Sequence, residues 1–138
     1  MAWVLDPRFD VPVNAEVVHF IRANRPSAHS DVAEQLYRAI RGVPGAAFYC
    51  PDNAGYAWVV AHTSDGRIFG LAYGMRSYAL RVGAEGEAEA VADGAVLAPE
   101  IGRGWICLDP FNVEVNTADM RLRLAHWTAR AMRFVAAL

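Results

Sequence analysis

The stretch RIFGLAYGMRSYALRV, residues 67–82, alternates large and small side chains and carries almost no charge. A period of two is typical of β-strands, whose successive side chains point to opposite faces of a sheet. Gly and Ala stand here where a half-exposed strand normally carries charged or polar residues. The stretch therefore predicts paired strands with one bulky face and one smooth, uncharged face, and something must cover the smooth one.

Two turns predict how these strands pair. Asp65-Gly66 favours a two-residue hairpin loop, and Gly74-Met75 is interpreted as a second one. The first loop pairs His62 with Phe69, Val60 with Leu71, Trp58 with Tyr73, Ala61 with Gly70, Val59 with Ala72 and Ala57 with Gly74. The second pairs Leu71 with Tyr78, Phe69 with Leu80, Gly70 with Ala79 and Ala72 with Ser77. Large residues meet large ones throughout, which supports an antiparallel meander.

The predicted smooth face consists of small or uncharged residues: Ala57, Val59, Ala61, Gly70, Ala72, Gly74, Ser77 and Ala79. The simplest interpretation is that a helix, residues 14–24, lies close against it, because Gly in a strand often marks a neighbouring backbone. A docking surface for a partner protein or for self-association is the second interpretation, since large apolar patches rarely stay exposed on monomers. A small-molecule pocket is the third. The C-terminal helix is expected on the bulky face.

The remaining pattern predicts an α+β fold: an antiparallel meander of about four or five strands, packed by N-terminal helices and a long C-terminal helix. Helices are predicted at 14–24 after the cap Asn14, from Asp31 to Gly42, and from 118 to the end after Thr117 or a neighbour. Residues 83–94 are a short helix or a solvated crossover, and strands are expected at 46–50, 104–109 and, as an edge, 111–116. We expect a single domain over 1–138, with residues 1–30 either integral or docking on the sheet as an extension.

Composition excludes some function classes. All 13 basic residues are Arg, and without Lys the chain has neither a P-loop nor a Schiff-base nucleophile. The net charge of −2 gives no overall attraction to nucleic acid or membranes. No apolar stretch is long enough to span a bilayer, the first residues lack a secretory signal pattern, and two isolated cysteines indicate a reducing compartment. We therefore expect a cytoplasmic protein without membrane association.

The C-terminal helix carries Arg123, His126, Arg130 and Arg133 on one stripe, with Arg121 nearby, and these five residues are called the basic stripe here. Three interpretations are open. The stripe is a solvated face favoured by the helix dipole, it pairs with the acidic residues Glu85, Glu87, Glu89 and Asp93, or it binds phosphate or an acidic protein. Weak, salt-sensitive binding of nucleic acid falls under the last interpretation.

Catalytic and metal signals are weak. Cys50 and His62 are the only nucleophile and base on neighbouring predicted strands, and a dyad would need further groups that the sequence does not reveal. Cysteine is also a common core residue. No Cys or His spacing matches a zinc motif, so we expect no metal and no cofactor.

The succession SDGRIFGLAYGMRSYALRV, GWICLDPF and LAHWTARAMRFVAAL resembles the N-terminal domain of TfoX-type proteins and the similar MmcQ/YjbR-like domains. The resemblance covers about residues 31–138 and rests on loose hydrophobic patterns. Arg81 stands where that family usually has Lys, and the family's FGG stretch is missing. The resemblance implies a compact α+β domain with regulatory or nucleic-acid associations, no established enzyme activity and no catalytic residues.

Taken together, the sequence predicts a non-enzymatic binding or regulatory module that contacts a protein partner, or a second copy of itself, through the smooth face or the Arg-rich helix. One alternative is a weak nucleic-acid-binding regulator that uses the Arg helix. The other is a small enzyme or ligand-binding protein centred on Cys50 and His62.

Overall fold

The computed structural model describes residues 5–51 and 58–138. Their helices are α1 (Ala15–Asn24), α2 (Ser30–Arg41), α3 (Ala84–Ala92) and α4 (Thr117–Ala136), and short 3-10 turns lie at Pro7–Phe9 and Pro12–Asn14. The strands are β1 (Ala47–Tyr49), β2 (Val59–His62), β3 (Ile68–Tyr73), β4 (Ser77–Arg81), β5 (Val96–Leu97) and β6 (Trp105–Leu108). They form an antiparallel sheet of order β1-β2-β3-β4-β6-β5. The predicted α+β class is confirmed, and the sheet has more strands than expected.

Most elements lie where the sequence places them, with differences at their ends. Helix α2 begins at Ser30, because the Nδ1 atom of His29 accepts a hydrogen bond from the N–H of Asp31 at 3.1 Å and caps the helix. Asn116 caps α4. Residues 84–92 are a helix rather than a solvated crossover, 111–116 form turns rather than an edge strand, and β5 was not predicted.

The first hairpin keeps the predicted register except at its end. Val59 pairs with Ala72, Val60 with Leu71 and Ala61 with Gly70, as predicted, but His62 pairs with Ile68 instead of Phe69. The loop holds three residues because Gly66 adopts a left-handed φ of +84°, and the N–H of Thr63 bonds to the carbonyl of Arg67 at 2.9 Å. The predicted register resumes through a bulge between His62 and Ala61, where β3 carries the extra residue Phe69.

The second hairpin is shifted by one residue, so its predicted register is wrong. Its loop holds three residues, and the pairs are Tyr73 with Ser77, Ala72 with Tyr78, Leu71 with Ala79 and Gly70 with Leu80. Gly74 is not a simple turn residue: its N–H bonds to the carbonyl of Ser27, and its own carbonyl accepts from the N–H of His29 at 2.8 Å. Since a one-residue slip moves side chains to the opposite face, Ala79 no longer lies beside Gly70.

Both faces of the sheet are covered by the chain itself. One face packs against α2 and α4 and carries Val59, Ala61, Ala72, Tyr78 and Leu80. The opposite face carries Val60, Ile68, Leu71 and Trp105 and packs against the N-terminal residues and α1. The predicted positions of α1 and the C-terminal helix are therefore reversed. The shifted register explains the reversal, because it puts Tyr78 and Leu80 beside the small residues and makes one apolar floor for α2 and α4.

None of the described helices combines the length and the apolar character needed to cross a membrane.

Candidate functional site

The predicted smooth face is closed in this structure. Val59, Ala61 and Ala72 are at most 2% exposed, Gly70 is buried and Gly74 is half-buried. Ala57 lies outside the described residues. Because α2 and α4 occupy this face, a partner would have to displace a helix to reach it. The interpretation of the face as helix-covered is correct, whereas its assignment to residues 14–24 is wrong.

The basic stripe of α4 is partly neutralised by α3. The Nε atom of Arg123 lies 3.6 Å from Oδ1 of Asp93, and Arg130 forms a salt bridge with Glu89. The indole N–H of Trp127 donates to Asp93 at 2.7 Å, and the guanidinium of Arg130 lies 4.9 Å from the centre of the Trp127 ring. Of the three interpretations of the stripe, internal pairing with the acidic stretch accounts for these two arginines.

The pairing of Arg130 with Glu89 also shifts the pKa values of both groups. Arg130 holds the pKa of the Glu89 carboxyl below its usual range, and Glu89 in turn raises the pKa of Arg130. The Glu89 carboxylate is exposed to solvent, so its salt bridge contributes little to stability. Its main effect is to reduce the positive charge that this side of α4 presents.

Arg121 and Arg133 have no ion pair within the part of the chain that the structure describes, and both are exposed. Arg133 lies beside the beginning of α3, at the edge of a shallow cleft. Arg121 lies on a different side of α4 and turns towards α2. The two remaining cations of the stripe therefore belong to separate surfaces.

A groove that contains Arg121 runs between α2 and α4. This α2–α4 groove is formed by Gln35, Arg38, Ala39, Gly42, Arg121, Leu124 and Ala125 and encloses about 210 Å³. It opens into a cleft of about 560 Å³ that shares Gln35, Arg38 and Arg121 and continues along the loop at 110–117. The shared residues make the two cavities one continuous surface.

The α2–α4 groove combines an apolar floor with two arginines, of which Arg38 is paired with Glu34. Leu124 lies at the base of the groove and Met120 lines the adjoining cleft, and both are buried. Arg38 and Arg121 line it from opposite helices. One nitrogen of Arg38, Nε, bonds to Glu34 at 3.3 Å, which leaves its terminal nitrogens without a described partner. A guanidinium presents several donors in a planar fork that matches a carboxylate.

Polar and apolar groups extend the groove at its loop end. Asn112 and Asn116 line the cleft there, and Val113 is 95% exposed. Burial of such an exposed apolar side chain by a partner contributes about 1.5–3 kcal/mol of transfer free energy. This loop end therefore offers both hydrogen bonds and apolar contact.

Cys50 and His62 do not form a dyad. Cys50 packs against the cluster beneath α2 and α4, and its thiol lies 3.5 Å from the carbonyl of Pro51. His62 lies two residues after Val60 on β2, so both point to the same face. Its ring contacts Phe9 there, on the side of the sheet opposite Cys50. The predicted pairing is wrong because successive side chains of a strand alternate between the two faces of the sheet, and Cys50 and His62 lie on opposite faces. The other cysteine, Cys107, has its pKa raised by burial.

No group of three or more metal-ligating side chains comes together within residues 5–51 and 58–138.

Comparison with known proteins adds no relative: no family model, no curated protein and no solved structure matches the chain. The resemblance to TfoX-type domains therefore remains a prediction. The function must be argued from the surfaces of this molecule.

The sequence pattern predicts Arg121 as a binding residue but gives no signal for its neighbours in the groove, Gln35 and Arg38. These two residues lie on the side of α2 that faces away from its buried residues Val32, Leu36 and Ile40. The missing information was the packing of α2 beside α4 on the same sheet face. No local pattern in the chain encodes that proximity.

Proposed function

We propose that this protein is a non-enzymatic binding module that holds an acidic segment of a partner protein in the α2–α4 groove. The observation that carries the proposal is the presence of Arg38 and Arg121 over a common apolar floor. A segment that alternates apolar and carboxylate side chains suits both features, because its apolar groups bury against Leu124 while its carboxylates pair with the guanidinium groups.

A protein segment is favoured over nucleic acid by the distribution of charge. Binding to a duplex depends on several cations that contact successive phosphates. Arg123 and Arg130 of α4 are paired with Asp93 and Glu89, and the two α4 arginines without an ion pair among the described residues, Arg121 and Arg133, lie on separate surfaces. This arrangement supports local recognition of a few carboxylates rather than recognition of a long polyanion.

The test is fluorescence anisotropy with a labelled peptide of alternating Leu and Glu, compared with the same peptide carrying Gln for Glu. We expect the acidic peptide to bind and the Gln peptide to bind more weakly. Arg121→Ala and Arg38→Ala should each weaken binding by up to about fivefold, because an ion pair at an exposed site contributes about 0.2–1 kcal/mol. Arg133→Ala, on the same helix but outside the groove, is the matched control and should leave the affinity unchanged.

Three results contradict the proposal: equal affinity for both peptides, equal losses in all three variants, or no binding at low salt. Labelled duplex DNA is measured in parallel. If DNA binds and loses affinity equally in Arg121→Ala and Arg133→Ala, the nucleic-acid alternative replaces this one.

A further inference from the structure

His62 is a buried imidazole with one nitrogen unused. Its Nδ1 lies 2.7 Å from the carbonyl oxygen of Thr63, and its Nε2 has no hydrogen-bond partner. A carbonyl only accepts, so Nδ1 carries the proton in the neutral ring and Nε2 presents a bare lone pair. The residue is 4% exposed. Protonation would therefore place a charge in this buried site, where the backbone carbonyls of Thr63 and Phe48 favour the charge and burial, the larger effect, opposes it.

The N-terminal strap, residues 5–14, seals this imidazole from water. The ring of Phe9 packs edge-on against His62, with 4.9 Å between ring centres, and Phe9 is fully buried. The guanidinium of Arg8 lies 5.0 Å from the centre of the Phe9 ring and 5.5 Å from that of Tyr49 on β1. The strap thus places an aromatic ring and a cation over the one buried histidine of the described residues.

The charged groups around His62 do little to stabilise its protonated form. Arg8 and Asp6, both on the strap, are the charged side chains that act on it, with opposite effects. The Asp6 carboxylate is already paired with Arg8, at 3.3 Å. Asp65, on the hairpin loop, is paired with Arg67 at 3.1 Å and bonded to Thr63. On the strand side His62 faces the apolar residue Ile68 of β3.

The strap is anchored firmly at its end near α1 and by apolar contact elsewhere. The amide of Asn14 donates to the carbonyls of Phe9 at 3.0 Å and Gly66 at 2.8 Å, and it accepts from the N–H of Ile68 at 2.9 Å. Arg81 donates to the carbonyl of Val13 at 2.7 Å. Before Asn14, the strap's buried side chains are Leu5 and Phe9. Loss of the Phe9 contact, together with the bond from Asn14 to the Phe9 carbonyl, would free residues 5–9 while the bonds of Asn14 to Gly66 and Ile68 hold.

We propose that His62 is a pH-sensitive latch, and that its protonation in mildly acidic solution releases the first half of the N-terminal strap from the sheet. Opening lets water reach Nε2 and removes the cost of the buried charge. The inference is independent of the α2–α4 groove, which lies on the other face of the sheet.

The sign of the pH dependence follows from burial. Burial is the main cause that lowers the pKa of His62 from its ordinary value of 6.5. The closed strap therefore binds the proton less tightly than the open strap. Docking is at full strength above about pH 6.5 and weakens as the pH falls towards the lower pKa of the closed form.

The test is hydrogen exchange of the full chain, followed by mass spectrometry and corrected for the intrinsic effect of pH. Protection of residues 5–10 should fall by up to about tenfold between pH 7.5 and pH 5.5, the limit set by one proton over this interval. Protection of α4 should not fall with it. An equal loss in α4 would mean global unfolding and would overturn the latch, as would unchanged protection of the strap.

Variants separate His62 from the other histidines. His62→Phe keeps a ring against Phe9 but does not titrate, so the strap should lose its pH dependence. His126→Gln and His29→Asn are the matched controls and should retain it; His126 is exposed on α4, and His29 caps α2. A pH response that persists in His62→Phe contradicts the proposal.

If His62→Phe does not fold, the titration of the His62 ring in the unchanged protein is measured by NMR. The proposal requires a pKa below 6.5 that coincides with strap release. A ring that titrates at its ordinary value, with the strap still closed, overturns it.

Discussion

Gly70 shows how one missing side chain shapes the middle of the sheet. It lies on β3 between β2 and β4, paired with Ala61 on one side and Leu80 on the other. A Cβ atom at this position would come 3.3 Å from the Ala61 Cβ and 3.3 Å from the Leu80 Cδ2. The space above Gly70 is therefore filled by cross-strand neighbours.

Replacing Gly70 with Leu should lower the free energy of unfolding by about 1–3 kcal/mol, because an extra side chain in a packed core displaces its neighbours. Chemical denaturation of the purified variant measures this loss. Gly42→Leu is the matched control: Gly42 is exposed, with a nearest contact of 3.7 Å, and its change should stay within about 0.5 kcal/mol. A loss below about 0.5 kcal/mol for Gly70→Leu would contradict the close packing.

At the scale of elements, local chemistry predicted which segments become helices and strands but not how they pack. The Asp-Gly turn and the alternation of β2 and β3 were enough for the central pairs, such as Val60 with Leu71. The predicted register of the second hairpin was wrong because the backbone of Gly74 in its loop is hydrogen-bonded to Ser27 and His29, from a distant part of the chain. One additional loop residue therefore changed which side chains of β4 point to each face of the sheet. It also changed which helices cover each face.

One buried hydrogen bond joins α4 to the sheet. The hydroxyls of Tyr78 on β4 and Thr128 on α4 lie 2.6 Å apart, and both residues are fully buried. Burial raises the pKa of Tyr78 well above its ordinary value, so the phenol stays protonated and able to donate. The bond therefore holds at any pH at which the protein is folded.

Tyr78→Phe should cost about 1–3 kcal/mol, because it leaves the Thr128 hydroxyl buried without this partner. The double variant Tyr78→Phe, Thr128→Val should recover much of the loss, since no polar group then remains unpaired. Denaturant midpoints of the two single variants and the double variant form the cycle that measures the coupling. Additive losses would show that Thr128 finds another acceptor within α4.

For the whole molecule, the sequence predicted the fold class and single members of the candidate site, but not the site itself. Arg121 was recognised as part of a basic stripe. Its significance depends on Arg38, more than 80 positions away, and on the pairing of Arg123 and Arg130 with α3. Side chains that converge from separate helices leave no periodic signal, whereas an amphipathic helix or an alternating strand does.

The N-terminal residues cover one whole face of the sheet and so contribute to the stability of the whole molecule. Phe9 of the strap and Val17 and Ile21 of α1 are at most 2% exposed. Full burial of such side chains is worth about 1.5–3 kcal/mol each, and the net stability of a domain is about 5–15 kcal/mol. The segment resembling TfoX-type domains, 31–138, would lack this entire layer.

A fragment comprising residues 31–138 should therefore fail to fold cooperatively, since Ile68, Leu71 and Trp105 would face water. Circular dichroism and thermal unfolding of the fragment measure this, with the full chain as reference. Full-length His19→Ala, an exposed change on α1, controls for disturbance of the helix surface and should stay within about 0.5 kcal/mol. A fragment that unfolds in a sharp, two-state transition would show that residues 1–30 are an extension that docks on an already stable domain.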